Sequence, residues 1–389
     1  MRIIHCCLAA FYIDNYSYQE NIIPKFHKNL GHNVFILAST ETYNSNVELS
    51  YLEPSTYFTT DGILITRVGY VKWLPKVVAR KLRIYKNVSH NLYTFKPEII
   101  FIHDCQFLSI LTISNYAKKN KVTIYIDSHT DFVNSGRGWI SKYLLHKVIY
   151  KFCVKNIEKH TAKFYGTLPL RSDFLKDIYN IDFKKIVLLP FGADDSLFNW
   201  NEKQKIRASL RSRLNIPGDA FVFITGGKID RRKNIHLLLK AWCELKQENK
   251  LLNSNLILFG KPSEDLKSEI EQLVVGKDII YVDWLASQEI HKYFFASDLA
   301  LFLGTHSVLW EEAVGLGLPC VFKKWKGIQH VDLGGNCMFL ECINSVSIKD
   351  MLVKISENKN LFEEMKIKAE LLGPKNFLYS EIAKRSLEY

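Results

Sequence analysis

Asp298-Leu-Ala-Leu-Phe-Leu-Gly304-Thr305-His306-Ser307-Val308-Leu-Trp-Glu311-Glu312-Ala-Val-Gly-Leu-Gly-Leu-Pro319-Cys-Val-Phe322 is the segment around which the chain is organised. Leu299 to Leu303 reads as a buried strand, Gly304, Thr305 and His306 as a short polar turn, residues 307–316 as a helix and Cys320 to Phe322 as a second strand. Small residues in such a turn let a ligand approach the backbone. The helix that follows aims unpaired N–H groups and the positive end of its dipole at that ligand. An α/β protein holds a diphosphate in this way at the carboxyl ends of its strands. Glu311 and Glu312 fall one turn inside the helix, where a carboxylate accepts hydrogen bonds from sugar or ribose hydroxyls. The plainer alternative is a strand–helix pair with two solvated glutamates.

Outward from this stretch the same alternation continues. Upstream in the second half, residues 220–225, 255–259 and 279–282 read as strands and 234–248, 263–275 and 287–296 as helices. The tail from Ser345 reads as helical, broken at Gly373-Pro374. In the first half, residues 2–9, 34–38, 63–68, 99–103, 122–127, 163–167 and 186–189 have strand character. Amphipathic helical patterns cover 19–30, 108–119 and 139–158. Leu189-Pro-Phe-Gly-Ala-Asp-Asp195 punctuates the alternation and marks a boundary. Strands alternating with helices predict an α/β chain with two doubly wound, Rossmann-like domains facing a cleft. The first covers residues 1–190 and the second 191–372, and a C-terminal helix, 373–389, returns to the first.

The 389 residues suffice for two domains, and 47% hydrophobic with 24% charged residues excludes a disordered chain. No apolar run reaches roughly 18 residues, so no transmembrane helix is expected. The opening Met1-Arg-Ile-Ile-His-Cys-Cys-Leu reads as a first buried strand of a cytoplasmic protein. Eight cysteines form no Cys-x-x-Cys pair, which fits buried reduced thiols and supplies no zinc spacing. The net charge of +12 is uneven. Residues 1–190 hold roughly 25 basic and 14 acidic side chains, so that half is expected to meet an anionic partner such as a membrane surface or a lipid diphosphate. Two basic stretches stand out there. One is Lys72 to Lys86, with Trp73 and Tyr85; the other is Lys147, Lys151, Lys155, Lys159 and Lys163, read as a stripe winding around one helix. Either could equally be a solvated face. Nucleic-acid binding is disfavoured because no recognition-module pattern occurs.

A second constellation opens the second half. The strand Phe221–Thr225 ends in Gly226-Gly227, and Lys228, Arg231, Arg232 and Lys233 crowd the turn before the next helix. Glycines, cations and a helix start suit a diphosphate. Neither Gly-x-Gly-x-x-Gly nor the Walker pattern is present.

Gly-Lys228-x-x-x-x-Lys233, followed by Glu312-Ala-x-Gly-x-Gly-x-Pro319, resembles the family-4 retaining glycosyltransferases of GT-B fold, in the branch found in bacterial capsule and O-antigen clusters. Pro190-Phe-Gly-Ala-Asp194 is similar to that family's hinge. The resemblance implies that Lys233 neutralises the donor diphosphate and that Lys228, where the family usually has Arg, assists as a point charge. Glu312 matches the second Glu of the family's Glu-x7-Glu motif, which binds the donor ribose. The first Glu falls on Gly304, a departure for which His306 or Glu311 is the expected substitute. Tyr281-Val-Asp283-Trp284-Leu285 matches the loop beside the base. Gly227, Lys228, Lys233, Asp283, Trp284, Thr305, His306, Ser307, Val308, Glu311 and Glu312 are thus the expected donor site. His129, at the end of the strand Ile124–Asp127, looks like the family's strand-end histidine beside the reacting sugar, so His129, Lys233 and Glu312 are the expected catalytic residues. Asp127, His129 and Asp131 would share a face if the strand persisted. His103 and Asp104 end the neighbouring strand. The loop from Phe11 to Glu20 replaces the family's Gly-Gly turn with aromatic and polar residues. Tyr12, Asn15, Tyr16, His103, Asp104 and Asp131 are accordingly the expected acceptor contacts, with a plain packing cluster as the alternative for the loop.

The resemblance implies a metal-independent transferase without a separate cofactor, and the absence of any Asp-x-Asp agrees with that. It would carry a sugar from a nucleotide-diphosphate donor, with retention, to a lipid-linked glycan, at the inner face of the cell membrane. A nucleotide-sugar 2-epimerase and a non-catalytic sugar-nucleotide-binding scaffold are the other readings.

Overall fold

A computed structural model describes residues 1–44, 48–131 and 140–388. The chain divides into two compact units, residues 1–190 with 382–389, and residues 191–381.

The first unit is built on β1 (Arg2–Cys7), β2 (Asn33–Ser39), β3 (Glu41–Tyr43), β4 (Leu49–Tyr51), β5 (Thr56–Phe58), β6 (Leu64–Val68), β7 (Ile99–His103), β8 (Thr123–Ser128), β9 (Thr161–Gly166) and β10 (Ile186–Leu188). Eight of these form one sheet in the order β10-β9-β8-β7-β1-β2-β6-β5, with β3 and β4 pairing separately. All pairings in the large sheet are parallel except β5 with β6. Central strands covered on both faces must be apolar throughout, and β1 and β7 are buried almost end to end. The helices of this unit are α1 (Gln19–Asn29), α2 (Lys76–Leu82), α3 (Val88–Phe95), α4 (Ile110–Asn120), α5 (Lys151–Glu158) and α6 (Pro169–Tyr179). The strand order reverses between β1 and β7, which makes the ends of those strands the topological switch point.

Two expectations change here. The pattern over 139–158 resolves into a π-helical run, Ile140–Tyr150, followed by α5, while residues 132–139 lie outside the described residues. The five lysines therefore do not share one helix. Lys147 is on the π-helical run, Lys151 and Lys155 on α5, Lys159 caps it, and Lys163 is on β9. The four-residue spacing runs past the helix end because a period in sequence does not itself hold a helix against its stop.

The second unit carries β11 (Phe221–Gly226), β12 (Ser254–Phe259), β13 (Ile279–Val282), β14 (Leu299–Phe302), β15 (Cys320–Lys323) and β16 (Cys337–Leu340). They form one wholly parallel sheet, β13-β12-β11-β14-β15-β16. This is the dinucleotide-fold order, with its switch point between β11 and β14. Its helices run from α7 (Lys203–Arg213) through α8 (Ile235–Gln247), α9 (Lys267–Leu273), α10 (Ser287–Ala296), α11 (Leu309–Gly315) and α12 (Ser345–Glu357) to α13 (Lys359–Phe377), and α14 (Tyr379–Arg385) ends the chain. β16 escaped the sequence reading because its Cys-Met-Phe-Leu run is short.

The break expected at Gly373-Pro374 is absent, since α13 runs through both residues to Phe377. A β-carbon on Gly373 would collide with the Val314 carbonyl, and one on Gly315 would lie 2.5 Å from the Phe377 carbonyl oxygen. Glycines at the crossing thus let α11 and α13 touch backbone to backbone. That packing carries the helix past a proline that local propensity alone would make a stop.

Candidate functional site

At the β11/β14 switch point two loops meet. β11 ends at Gly226, and Gly227 turns in the left-handed region (φ 97°). Side chains are excluded there: a β-carbon on Gly226 would overlap Phe259, and one on Gly260 would overlap the Gly227 carbonyl. The following turn, Arg231–Lys233, is capped by Asp230, whose carboxylate accepts from the Arg232 N–H (3.0 Å). That turn is sewn to the loop after β14. Thr305 N–H donates to the Arg232 carbonyl (3.0 Å), Asn234 Nδ2 to the Leu303 carbonyl (2.7 Å), and Lys233 Nζ to the carbonyls of Thr305 (2.7 Å) and His306 (3.1 Å). Trp325 Nε1 holds the Gly304 carbonyl from the other side (2.9 Å). Thr225, Gly226, Lys233, Gly304, Thr305 and Ser307 line a small pocket at this crossing.

The cations of the turn are not equivalent. Arg231 pairs with Asp265 (3.0 Å) and Arg232 with Asp230 (2.6 Å). Lys228 is exposed and has no ion-pair partner among the described residues. Burial brings the Lys233 ammonium down to about 8, against the pull of Asp230. No acceptor among the described residues takes the N–H groups of His306, Ser307 or Val308. The helix behind them is shorter than the sequence implied, Leu309–Gly315, so its dipole is small. The positive potential comes from those N–H groups and the two lysines.

The adjacent glutamates separate in role. Glu311 is fully buried; both its oxygens meet His306 Nε2 (2.8 and 3.0 Å), and Oε1 also meets His330 Nε2 (2.8 Å). Burial alone would raise its carboxyl, but the two imidazoles hold it down at about 2. Glu312, half-buried, has the opposite fate, for burial, reinforced by the Asp194 carboxylate, pushes it up to about 8. Glu312 is therefore mostly a neutral, donating carboxyl at pH 7, and Glu311 a carboxylate committed to its histidines. Asp283 and Trp284 lie exposed beyond β13, Asp283 Oδ1 accepting from the Trp284 N–H (2.7 Å), and Val308 is exposed beside the loop.

In the first unit the residues at the strand ends form their own cluster. Asp127, wholly buried, accepts from His103 Nδ1 (2.7 Å) and from the Asp104 N–H (3.2 Å), and His129 Nε2 lies 3.3 Å from its Oδ1. Burial would raise Asp127, yet His103 and His129 keep it well below the usual carboxylate range. Burial would likewise lower His129, but Glu20 (3.7 Å away) and Asp127 raise it to about 9, so His129 is an imidazolium at neutral pH. Asp104 adopts φ 63°, and its Oδ2 lies 2.9 Å from the Thr130 hydroxyl. Asp131 faces Arg171 (Nε at 3.4 Å).

Three expectations are corrected in this unit. β8 stops at Ser128, so Asp127, His129 and Asp131 do not alternate on one strand face, and Asp131 turns to Arg171 instead. His103 is fully buried, its ring nitrogens occupied by Asp127 and His5, and it is not an acceptor contact. Tyr12 is buried too; its carbonyl accepts from Arg67 Nη1 (3.1 Å), while the Arg67 guanidinium, 1% exposed, also binds Asp14 (2.8 Å) and Tyr57 (2.7 Å). A buried guanidinium needs several acceptors at once, so the loop wraps around Arg67 and turns Tyr12 inward. Asn15 and Tyr16 remain exposed.

His330, Glu20, Arg171, Trp325 and the pair His5 and His27 were missed. For His330 no local signal exists. For His5 one did, because a histidine inside Ile-Ile-His-Cys-Cys demands a buried partner. His306, Glu311 and His330 bring their ligand atoms within 4.8 Å of one another, as do His103, Asp127 and His129. In the first group both imidazoles hydrogen-bond the Glu311 carboxylate, and in the second His103 hydrogen-bonds Asp127 while His129 Nε2 lies 3.3 Å from it.

Residues 206–370 match the family described as Glycosyl transferases group 1. Over 91 residues, 23% of this chain and 20% of the relative, the sequence is 36% identical to a D-inositol 3-phosphate glycosyltransferase of Kineococcus radiotolerans. Over 179 residues, 42% of this chain and 45% of the relative, it is 26% identical to the lipopolysaccharide 1,2-N-acetylglucosaminetransferase of Salmonella typhimurium. The match thus spans less than half the length of each of these curated relatives. Among solved structures, Alr3699/HepE of Anabaena in complex with UDP superposes with a TM-score of 0.66 at 13% identity, over 99% of this chain and 98% of that one. At that identity the likeness speaks for the fold, the two-domain α/β GT-B architecture.

Proposed function

We propose that this chain is a nucleotide-sugar-dependent glycosyltransferase of the group 1 type, with the second unit taking the donor and the basic first unit the acceptor. The observation that carries the reading is the crossing of the Gly226–Lys233 turn with the Gly304–Glu312 loop at the β11/β14 switch point, inside the segment that matches the family. Lys228 and Lys233, with the N–H groups of His306, Ser307 and Val308, stabilise charge on the departing nucleoside diphosphate. Glu312 binds the ribose hydroxyls, and Asp283 and Trp284 flank the base. The bond from the anomeric carbon to the diphosphate oxygen breaks, the acceptor hydroxyl oxygen bonds to that carbon, and its proton leaves with the diphosphate. His129, as an imidazolium, donates to a sugar hydroxyl and orients it. Asn15, Tyr16 and the carboxylates of Asp104 and Asp131 belong to the acceptor side.

The finer reading follows from the resemblance in the sequence: transfer with retention, no metal or separate cofactor, and a lipid-linked glycan acceptor in bacterial surface polysaccharide synthesis. The positive charge of residues 1–190 supports peripheral binding to the anionic inner face of the membrane.

Thermal stability against UDP, GDP, ADP, CMP and TDP, without added metal, tests the donor half. A ligand that binds only the folded chain raises the Tm, by several degrees at a hundredfold excess over Kd. One diphosphate should do so, and Lys233→Ala should abolish the shift. No stabilisation by any of them at millimolar concentration would overturn the donor assignment.

A further inference from the structure

Three histidines from three elements lie in file through the core of the first unit. His103 on β7 meets Asp127 Oδ2 through Nδ1 (2.7 Å), and its Nε2 meets His5 Nδ1 on β1 (3.0 Å). His5 Nε2 meets His27 Nδ1 on α1 (3.0 Å), and His27 Nε2 meets the Ser386 hydroxyl (2.9 Å) and the Ala383 carbonyl (3.1 Å). His5, His27, His103, Asp127 and Ser386 are all 0% exposed. The rings of His5 and His103 stack at 5.3 Å, and Phe101 stacks on His5 at 5.2 Å. A phenylalanine would fill any of these places without the cost of burying two ring nitrogens. Here every ring nitrogen is used.

A neutral imidazole donates through one nitrogen and accepts through the other, so neighbouring rings cannot choose tautomers independently. Asp127 is ionised and only accepts. His103 therefore carries its proton on Nδ1 and accepts at Nε2 from His5 Nδ1–H. His5 Nε2 accepts from His27 Nδ1–H, and His27 Nε2 accepts from the Ser386 hydroxyl, whose oxygen also lies 2.8 Å from its other acceptor, the Ala383 carbonyl. The Ala383 carbonyl then faces a lone pair at 3.1 Å. One proton taken from water reverses the file. It binds His27 Nε2, which now donates to Ala383; the His27 Nδ1 proton passes to His5 Nε2, and the His5 Nδ1 proton to His103 Nε2. His103 becomes an imidazolium against the Asp127 carboxylate, and the Ser386 hydroxyl, displaced from His27 Nε2, turns its proton to the Ala383 carbonyl 2.8 Å away.

We propose that His103, His5 and His27 act as one cooperative proton relay coupling Asp127, and through it His129, to the C-terminal residues Ala383 and Ser386. They are positioning residues, and only the choice of His129 as the group they serve rests on the proposed function. Other titratable groups facing the file are His32 beside His27, Cys7 and Cys105 beside Asp127, Tyr165 on the Ser386 carbonyl, and Glu20 and Arg171 beside His129.

Nitrogen NMR of the full chain, labelled in histidine, tests this without turnover. In the wild type, through-bond couplings are expected across both His–His hydrogen bonds; their absence would overturn the relay. Ser386→Ala removes a single hydroxyl at the far end. The relay predicts that the protonated nitrogen moves from Nδ1 to Nε2 on His27 and His5 together, that His103 gains a proton on Nε2, and that the His129 titration midpoint moves with them. A change confined to His27 would overturn the proposal. In Ser386→Ala/His5→Phe the effect on His103 and His129 should vanish, and its persistence would also overturn it. Sugar transfer that fails while these couplings stand would refute the proposed function and leave the relay intact.

Discussion

Gly304 lies so close to Lys233 that a β-carbon on it would overlap the Lys233 Cα and the Arg232 carbonyl oxygen. The position where the resembled family carries a glutamate is thus closed by backbone, and the neighbouring His306 is held by Glu311, which also binds His330. Gly304→Glu, which restores the family residue, is expected to lower stability by about 1–3 kcal/mol and to abolish nucleotide-induced stabilisation. A melting curve with and without the stabilising diphosphate checks both; a restored or improved ligand shift would refute the account.

Lys233 titrates near 8 because it is partly buried. Its charge is present below that pH and lost above it, so diphosphate affinity should fall about tenfold as pH rises from 7 to 9.5. Isothermal titration across that range, with Lys233→Arg holding its charge throughout, separates this lysine from other groups.

Glu312 titrates near 8 and is mostly protonated at pH 7. A carboxamide resembles that neutral form, so Glu312→Gln should keep nucleotide affinity within about threefold, whereas Glu312→Ala should lose roughly tenfold. Equal losses in the two variants, measured by titration with the diphosphate, would show that the carboxylate is the binding form.

The histidine file makes the first unit acid-sensitive. Burial depresses His5, and brings His27 to about 3. Between those values and the unfolded value near 6.5 the unfolded chain binds more protons, so stability rises with pH and is lost as pH falls below 6.5. Two such groups give a slope of about 2.7 kcal/mol per pH unit. Urea unfolding at pH 7.5, 6 and 5 measures it, and His27→Phe should lower the slope by about 1.4 kcal/mol per pH unit.

Gly373 allows α13 to meet the Val314 carbonyl of α11. Gly373→Ala gains helix propensity but must push the helices apart, at a net cost of about 1–3 kcal/mol. A drop of several degrees in Tm is expected, and an unchanged or raised Tm would show that the crossing yields.

The two doubly wound halves, the change near Pro190, and the make-up of the Gly226–Lys233 turn and the Gly304–Glu312 loop are legible in the residues alone. Those features live in apolar runs, glycine turns and charge placed within a few residues of one another, where local periodicity reports them. Packing in three dimensions settled the rest: Lys233 is held by two carbonyls, Glu311 is spent on His306 and His330 while burial raises Glu312, Tyr12 and His103 are buried, and α13 continues through Gly373 and Pro374. It alone brought His27 against Ala383, 356 positions away. Burial and long-range hydrogen bonding set these outcomes, and a partner hundreds of residues distant leaves no period or spacing in the chain.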